Sequence, residues 1–530
     1  MSACAKSNDL NADPHNECMT ELPLTFGTAG LRGPMRDGPG GMNVETVTAA
    51  TWALAKVLND YARRAGNAPK LGGSVVVVGR DARHQSDDFA LATAEVLAAE
   101  GFSVILLPDA APTPVLAFAA RHLRAAAGVQ ITASHNPPSD NGYKVYLDGG
   151  MQIVPPTDRE IEAAMAIAPA DVDRAEVSPV GTDLVEEYIR RAAGVRRVEG
   201  DLRVALTPLH GVGGEVALRV LQEAGIADVH VVAAQFAPDP DFPTVAFPNP
   251  EEPGATDLVL ALAADVGADV AIALDPDADR CAVGVPTTTG WRMLSGDETG
   301  WLLGDYVLSQ TDPGAVMAAT VVASTVVSSR MLAAIAAGHG AQHVETLTGF
   351  KWLARADADS PGVTLAYAYE EAIGHCVDPS AVRDKDGISA AVLVCDLVVA
   401  LRHDGRTVLD ALDDLARCHG VHATAAMSVP ADAALMDRLR ATPPALLGGE
   451  SIDVTDLLDR RGRARTDALI YTGESVRVAI RPSGTEPKVK AYMEIHLAPR
   501  DDVATARADG AALLDGLRAD VVDLLQRGPN

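Results

Sequence analysis

Three aspartates alternate in the stretch DPDADR: Asp275, Asp277 and Asp279. They follow the apolar run VAIAL, so they fall at the C-terminal end of a predicted strand, where α/β sheets bind ligands. Carboxylates at i, i+2 and i+4 repel one another unless a positive charge joins them. A hard divalent cation with oxygen ligands satisfies all three. Arg280 follows at once and can grip a phosphate in bidentate fashion. A phosphate beside the metal favours Mg²⁺ over Ca²⁺. An EF-hand needs glycine at position 6 and glutamate at position 12, where this chain has Arg280 and Pro286. The bland alternative is a solvated acidic turn.

Four other stretches carry chemistry. TASHNPP places Ser134 beside His135 and Asn136, either as a nucleophile or as an ordinary polar turn stiffened by prolines. RPSGTEPK offers Arg481, Ser483, Gly484, Thr485 and Lys488 as an anion nest, with a plain hairpin as the alternative. AYEEAIGHC offers Glu370 and Glu371 as acceptors for sugar hydroxyls, or else an acidic helix start. FGTAGLRG around Arg32 and TGFKWL around Lys351 say little alone. No GxxxxGK[ST], complete GxGxxG or GxSxG motif occurs, which argues against a P-loop kinase, a dinucleotide dehydrogenase and an α/β-hydrolase.

The elements that must hold these residues alternate strand, loop and helix. SVVVVGRD (74–81) reads as a strand, SDDFALATAEVLAAEG (86–101) as a helix ended by Gly101, and FSVILLPD (102–109) as the next strand. The pattern restarts at DLRVALTPLHGVGG (201–214), DVAIALDPDADR (269–280) and AVMAATVVAST (315–325). Such alternation predicts parallel sheets with helices on both faces. Beyond about residue 420 the pattern changes: 475–498 gives two strands around a Pro/Gly loop, followed by an alanine-rich helix. Segments 155–185 and 428–450 read as connections.

The 530 residues suffice for about three or four domains, and 48% hydrophobic content supplies their cores. A net charge of −28 argues against nucleic-acid binding. Six scattered cysteines with no CxxC pair suit a reducing compartment. The N-terminus lacks a signal-peptide pattern, and no apolar run reaches membrane-span length, so a cytoplasmic protein without a membrane partner is expected.

TASHNP, DPDADR, TGFKW, EEAIG and RPSGTEP follow one another at roughly domain-sized spacing. From about residue 24 onward the chain resembles the α-D-phosphohexomutase superfamily. GTAGLRG, ASHNPPSDNGYKVY, EEAIG and KDGISAA are most similar to its phosphoglucomutase/phosphopentomutase branch, which includes bacterial proteins called phosphomannomutase. The resemblance implies three similar α/β domains with mixed or parallel sheets plus a smaller α+β domain, around a central cleft. The expected bounds are a flexible 1–22, then 23–200, 201–312, 313–425 and 426–530.

It also implies roles. Ser134 is carried as phosphoserine, and Mg²⁺ is held by Asp275, Asp277, Asp279 and a phosphoserine oxygen. Arg280, Lys144 and Arg32 face the transferring phosphoryl group. Thr348, Gly349 and Lys351 form a sugar-facing turn, and Glu370 takes sugar hydroxyls, helped by Lys385. Arg481, Ser483, Gly484 and Thr485 hold the other phosphate. The reaction implied interconverts sugar 1-phosphates with 6- or 5-phosphates through a sugar bisphosphate, which also serves as activator. For the proton, Lys144 ranks ahead of His135. The protein is expected as a monomer or homodimer.

Two positions depart from hexose-specific members. Ala372 stands where many carry serine, a loss of about 1 kcal/mol of sugar hydrogen bonding that opens the site to pentose phosphates. Tyr492 stands near where they place a basic residue. A bisphosphate synthase using the same residues, a phosphatase with an aspartyl nucleophile in DPDADR, and a catalytically inactive sugar-phosphate sensor are the competing readings.

Overall fold

Four consecutive valines, Val75–Val78, have side chains suited to burial on both faces of a sheet, and they form the centre of the first one. In this computed structural model the described residues are 22–27, 30–64, 74–147, 149–311, 319–430, 432, 434–483 and 488–526. Strand Val75–Arg80 pairs in parallel with Ser103–Leu106 on one side and Ala127–Ile131 on the other. Asp140–Leu147 then returns antiparallel beside Ala127–Ile131, and Leu31–Pro34 pairs beyond it.

The same order recurs twice. In the second sheet Arg203–Thr207 lies between Asp228–Val231 and Val270–Leu274, and Cys281–Thr287 returns antiparallel. In the third, Thr320–Thr325 lies between Gln342–Thr346 and Thr364–Glu370, and Gly374–Cys376 returns. Each unit therefore makes a sharp reversal after its third strand. Those reversals hold Ser134, Asp275–Arg280 and Glu371–Ile373 respectively. The sheets are mixed rather than purely parallel, because each antiparallel return needs only a short loop.

The fourth unit is an all-antiparallel sheet ordered Val421–Pro430, Lys488–Leu497, Val476–Pro482, Leu469–Thr472 and Asp453–Asp456. Helix Val503–Gln526 covers it, burying Leu514, Leu517, Val521, Leu524 and Leu525 in a core separate from the rest. One continuous apolar core joins the first three units instead. Its centre includes helix Gly387–His403, in which Val392, Val394, Cys395 and Val398 are buried.

Local expectations hold with adjusted ends. Helix Ser86–Ala99 stops two residues early, and Gly101 takes the left-handed conformation at φ 91° beyond it. Of the run 315–325, residues 320–325 form the strand and 315–318 lie outside the described residues. The presumed connection 155–185 contains helix Thr157–Met165 and the start of Thr182–Ala193. The presumed connection 428–450 contains helix Leu435–Ala441. Their alternating Pro, Ala and Asp hid short helices that are held by tertiary burial of Ile161, Leu435 and Leu439. Glu370 ends a strand, which removes the helix-start alternative for EEAIG. The four described cysteines are unpaired. Among the described residues no helix is long and apolar enough to cross a membrane.

Candidate active site

Ser134 sits in the reversal after Ala127–Ile131 with φ 54°, a left-handed conformation that costs a non-glycine residue roughly 1–3 kcal/mol. Its N–H donates to Thr132 Oγ1 at 2.9 Å. Arg83 clamps the loop from beneath. One guanidinium nitrogen donates to Ser134 O and Asn136 O at 2.6 Å each, and another to Pro137 O at 2.8 Å and Asp140 O at 3.1 Å. Asp81 balances the buried charge at 3.3 Å, and the Phe242 ring from the second unit stacks against it at 5.1 Å. The Ser134 hydroxyl donates to Asp275 Oδ2 at 2.7 Å and lies 3.2 Å from His135 Nδ1.

That contact joins the serine to the acidic triad. Asp275, Asp277 and Asp279 are all buried, and one ligand atom from each lies within 4.8 Å of the others. Lys144 Nζ donates to Asp277 Oδ2 at 2.6 Å and Asp279 Oδ2 at 2.9 Å. Lys385 Nζ adds a contact to Asp279 Oδ2 at 3.0 Å. Thr113, from the first unit, donates its hydroxyl to Asp277 Oδ2 at 2.6 Å and its N–H to Asp277 O at 2.9 Å. The opposite oxygens, Asp277 Oδ1 and Asp279 Oδ1, are buried without any partner. Burial, then the charges of Asp277 and Asp279, push the Asp275 carboxyl well above its ordinary range. Burial acts the same way on Asp277, but Lys144 outweighs it and holds that carboxyl low. Orphaned carboxylate oxygens facing a third carboxylate are the donor set of a hard divalent cation, so these residues fit one.

Behind the triad, the glycine-rich loop 211–214 packs against the acidic loop. Val212 N–H donates to Pro276 O at 2.8 Å, and a Cβ on Gly211 would stand 2.3 Å from Pro276 Cα.

Arg280 also approaches Asp275, its Nε 3.9 Å from the oxygen that accepts from Ser134. Its N–H donates to Asp275 Oδ1 at 3.0 Å, and its guanidinium reaches Glu251 Oε2 at 3.0 Å. Arg32 approaches from the first sheet, its Nη1 3.4 Å from Asn136 Oδ1. Burial, then Arg280 and Arg32, push His135 well below its ordinary range, so its imidazole is neutral. Glu370 is raised by burial to about 7, although Lys385 and Arg280 pull the other way. The cluster thus gathers Ser134, His135, Lys144, Arg32, the triad, Arg280, Glu370 and Lys385.

The adjoining cavity, about 780 Å³, is lined by Glu251, Glu371, Ala372, Arg477, Lys490 and Tyr492, among others. Glu371 does not point freely into it: Thr325 Oγ1 and Ser328 Oγ donate to its Oε2 at 3.1 and 2.9 Å. Gly349 has φ 109°, Lys351 Nζ reaches Gly27 O at 3.3 Å, and the buried Thr348 hydroxyl lacks a partner. Phe350 of this turn lies beneath Lys385 Nζ at 5.5 Å, which links the turn to the triad cluster. Arg481 and Ser483 are half-buried at the end of strand Val476–Pro482, and Gly484 and Thr485 lie outside the described residues.

Comparison with known proteins decides the family. Residues 23–170, 186–289 and 295–418 match the phosphoglucomutase/phosphomannomutase alpha/beta/alpha domains I, II and III, and 447–510 match the C-terminal domain. The chain belongs to the phosphoglucomutase/phosphomannomutase family. It is 41% identical to the "Probable phosphomannomutase" of Haemophilus influenzae, over 86% of this chain and 93% of the other. It is 36% identical to the "Probable phosphoribomutase" of Schizosaccharomyces pombe, over 89% and 86%. It is 34% identical to the mouse phosphopentomutase, over 90% and 84%. A solved phosphoglucomutase/phosphomannomutase family protein from Burkholderia thailandensis shares the fold at TM-score 0.71 and 23% identity, covering 95% of this chain and 98% of its own. This phosphoglucomutase/phosphomannomutase family chain is an intramolecular phosphotransferase, like the mutases it matches.

Within the family frame, three positioning residues escaped the sequence reading: Arg83, Thr113 and Glu251. Arg83 had a visible signal, a charged residue just past the buried strand in GRDAR. Thr113 and Glu251 had none, since their partners lie 164 and 29 residues away.

Proposed function

We propose that this chain is a sugar-phosphate mutase that works through phosphoserine 134. It converts hexose or pentose 1-phosphates to 6- or 5-phosphates by way of an enzyme-held sugar bisphosphate. The observation that carries the reading is the 2.7 Å contact between Ser134 Oγ and Asp275 Oδ2, inside a cluster with two arginines and two lysines.

Asp275, Asp277 and Asp279 would hold Mg²⁺, which supplies charge neutralisation for the moving phosphoryl group. Arg280 and Arg32 add fixed positive charge from two directions. In the forward half-reaction the Ser134 Oγ–P bond breaks as a P–O bond forms to the free sugar hydroxyl. The hydroxyl's proton passes to a base and returns to Ser134 Oγ. The bisphosphate turns end for end, and its other phosphoryl group returns to Ser134. His135 is the better base on geometry: its Nδ1 lies 3.2 Å from Ser134 Oγ. Lys144 already donates to two carboxylates, which suits an ammonium that holds charge rather than one that accepts a proton. This reverses the order expected from sequence.

Glu370 and the turn at Thr348, Gly349 and Lys351 are assigned to sugar hydroxyls, and Arg481 and Ser483, with Lys490 nearby, to the distal phosphate. Ala372 in the cavity wall supports acceptance of pentose phosphates alongside hexoses. Ser134→Ala should lower turnover by at least about 10³-fold while leaving the fold intact. Incubation with glucose 1,6-bisphosphate followed by peptide mapping should place phosphate on Ser134. Phosphate on Asp275 with Ser134 bare would make the protein a phosphatase instead. A kcat/KM panel of glucose, mannose and ribose 1-phosphates with Mg²⁺ then reads the substrate range.

A further inference from the structure

The chain carries 72 acidic and 44 basic residues, yet one stretch, RRGRAR (460–465), concentrates four arginines. The fold brings this stretch to a seam between three units. A cavity of about 530 Å³ there is lined by Pro155 and Arg159 of the first unit, Trp352 of the third, and Arg463, Arg465 and Thr466 of the fourth, among others. It shares no lining residue with the active-site cavity.

Most arginines of this protein are matched to a carboxylate; Arg159 and Arg465 are not, and Arg463 is matched only loosely. Among the described residues no carboxylate lies within ion-pair distance of Arg159 or Arg465. Arg463 has only a 3.5 Å contact to Asp359, with both side chains more than half exposed. Asp456 feels the charge of Arg465, but its Oδ2 is held by Arg440 at 2.7 Å, and Arg440 also pairs with Asp467. Three exposed arginines line one hollow in a chain of net charge −28, and their guanidinium forks can grip an anion there. Guanidinium forks match phosphate oxygens in pairs. The half-buried indole of Trp352 adds a flat apolar wall, of the kind on which nucleobases stack. The volume suits a mononucleotide.

We propose that this seam is a second ligand site, for a nucleoside phosphate, distinct from the sugar-phosphate cleft. The phosphates pair with Arg159, Arg463 and Arg465, and the base lies against Trp352. Occupancy ties the first unit to the fourth. It is also felt at the sugar-facing turn, because Trp352 follows Lys351 directly. The proposal does not depend on which sugar the mutase takes.

Isothermal titration of ADP into the full chain, already saturated with glucose 1,6-bisphosphate and Mg²⁺, tests it. One ADP should bind per chain. The double variant R159A/R465A should lose at least about tenfold in ADP affinity while its basal turnover stays unchanged. Trp352→Phe should weaken ADP but not pyrophosphate. No ADP binding when the cleft is filled, mutual displacement by the bisphosphate, or wild-type ADP affinity in the double variant would each overturn the site. Pyrophosphate binding as tightly as ADP would overturn the nucleoside assignment.

Discussion

Arg83 places its guanidinium on four backbone carbonyls of one loop, that of Ser134 among them, so it acts on the serine through the backbone and not at its hydroxyl. It holds Ser134, the proposed phosphoryl carrier, in a left-handed conformation that the loop would otherwise relax. Lysine at this position keeps the charge beside Asp81 but cannot span four acceptors. Arg83→Lys should therefore lower kcat by about 10²-fold, with KM for the sugar phosphate little changed, because the serine moves while the sugar contacts stay. Steady-state kinetics on the folded variant checks this; an equal rise in KM, or unchanged kcat, would place the role of Arg83 elsewhere. At this scale the sequence was partly legible. Ser134, the triad and Arg280 stand in compact motifs, so their chemistry shows in consecutive residues. Arg83 left only its place just past a buried strand as a signal, and Thr113 and Glu251 act through partners distant in sequence that no local spacing reveals. Gly484 and Thr485 lie outside the described residues, and their role rests on the resemblance.

Elements carry the site by repetition: three sheets share one strand order, and each places its working loop after the third strand. The alternation of strands and helices was readable because buried parallel strands are continuous apolar runs. The antiparallel returns were less so, since Cys281–Thr287 and Gly374–Cys376 look like any short apolar stretch. Helix Gly296–Ser309 shows what such elements conceal. Its first turn buries Asp297, which accepts from Ser329 N–H and Tyr369 OH at 2.9 Å each. Burial nevertheless raises this carboxyl from 3.8 to about 7. The folded state therefore binds the proton more tightly than the unfolded chain. The cost is absent below about pH 4, grows as pH rises, and is complete above about pH 7. Asp297→Asn keeps the acceptor oxygen and removes the charge. Relative to this variant, the wild type should lose stability between those limits, by at most about 4 kcal/mol. Urea unfolding midpoints of the two proteins across pH 4–8 measure the difference, and parallel curves would refute it.

The whole molecule divides unevenly: three units share a core, and the fourth has its own. A polar latch fastens that fourth unit. Glu494 accepts from Ser329 Oγ at 2.7 Å, from Arg330 N at 2.9 Å and Nε at 2.6 Å, and from His422 Nδ1 at 2.7 Å. Burial would raise its carboxyl, but His422 and Arg330 hold it far below the usual range. Glu494→Gln leaves Arg330 uncompensated and should cost about 3 kcal/mol. Limited proteolysis should then cut between the third and fourth units faster than in the wild type, while labelling of Ser134 by bisphosphate proceeds as before. Equal cleavage rates would mean the apolar contacts of Val326 and Val327 with Leu457 and Ile470 suffice. The first two units are joined differently. Thr113 grips Asp277 through both its hydroxyl and its N–H, so the Ser134 loop and the acidic triad are registered by a bond between domains. In a recombination of relatives, these two units must be inherited as one segment: a crossover between them would separate a serine from the triad to which it was fitted, whereas a crossover before the fourth unit must preserve the partners of Glu494 and Arg477 and the apolar seam at Val326 and Val327.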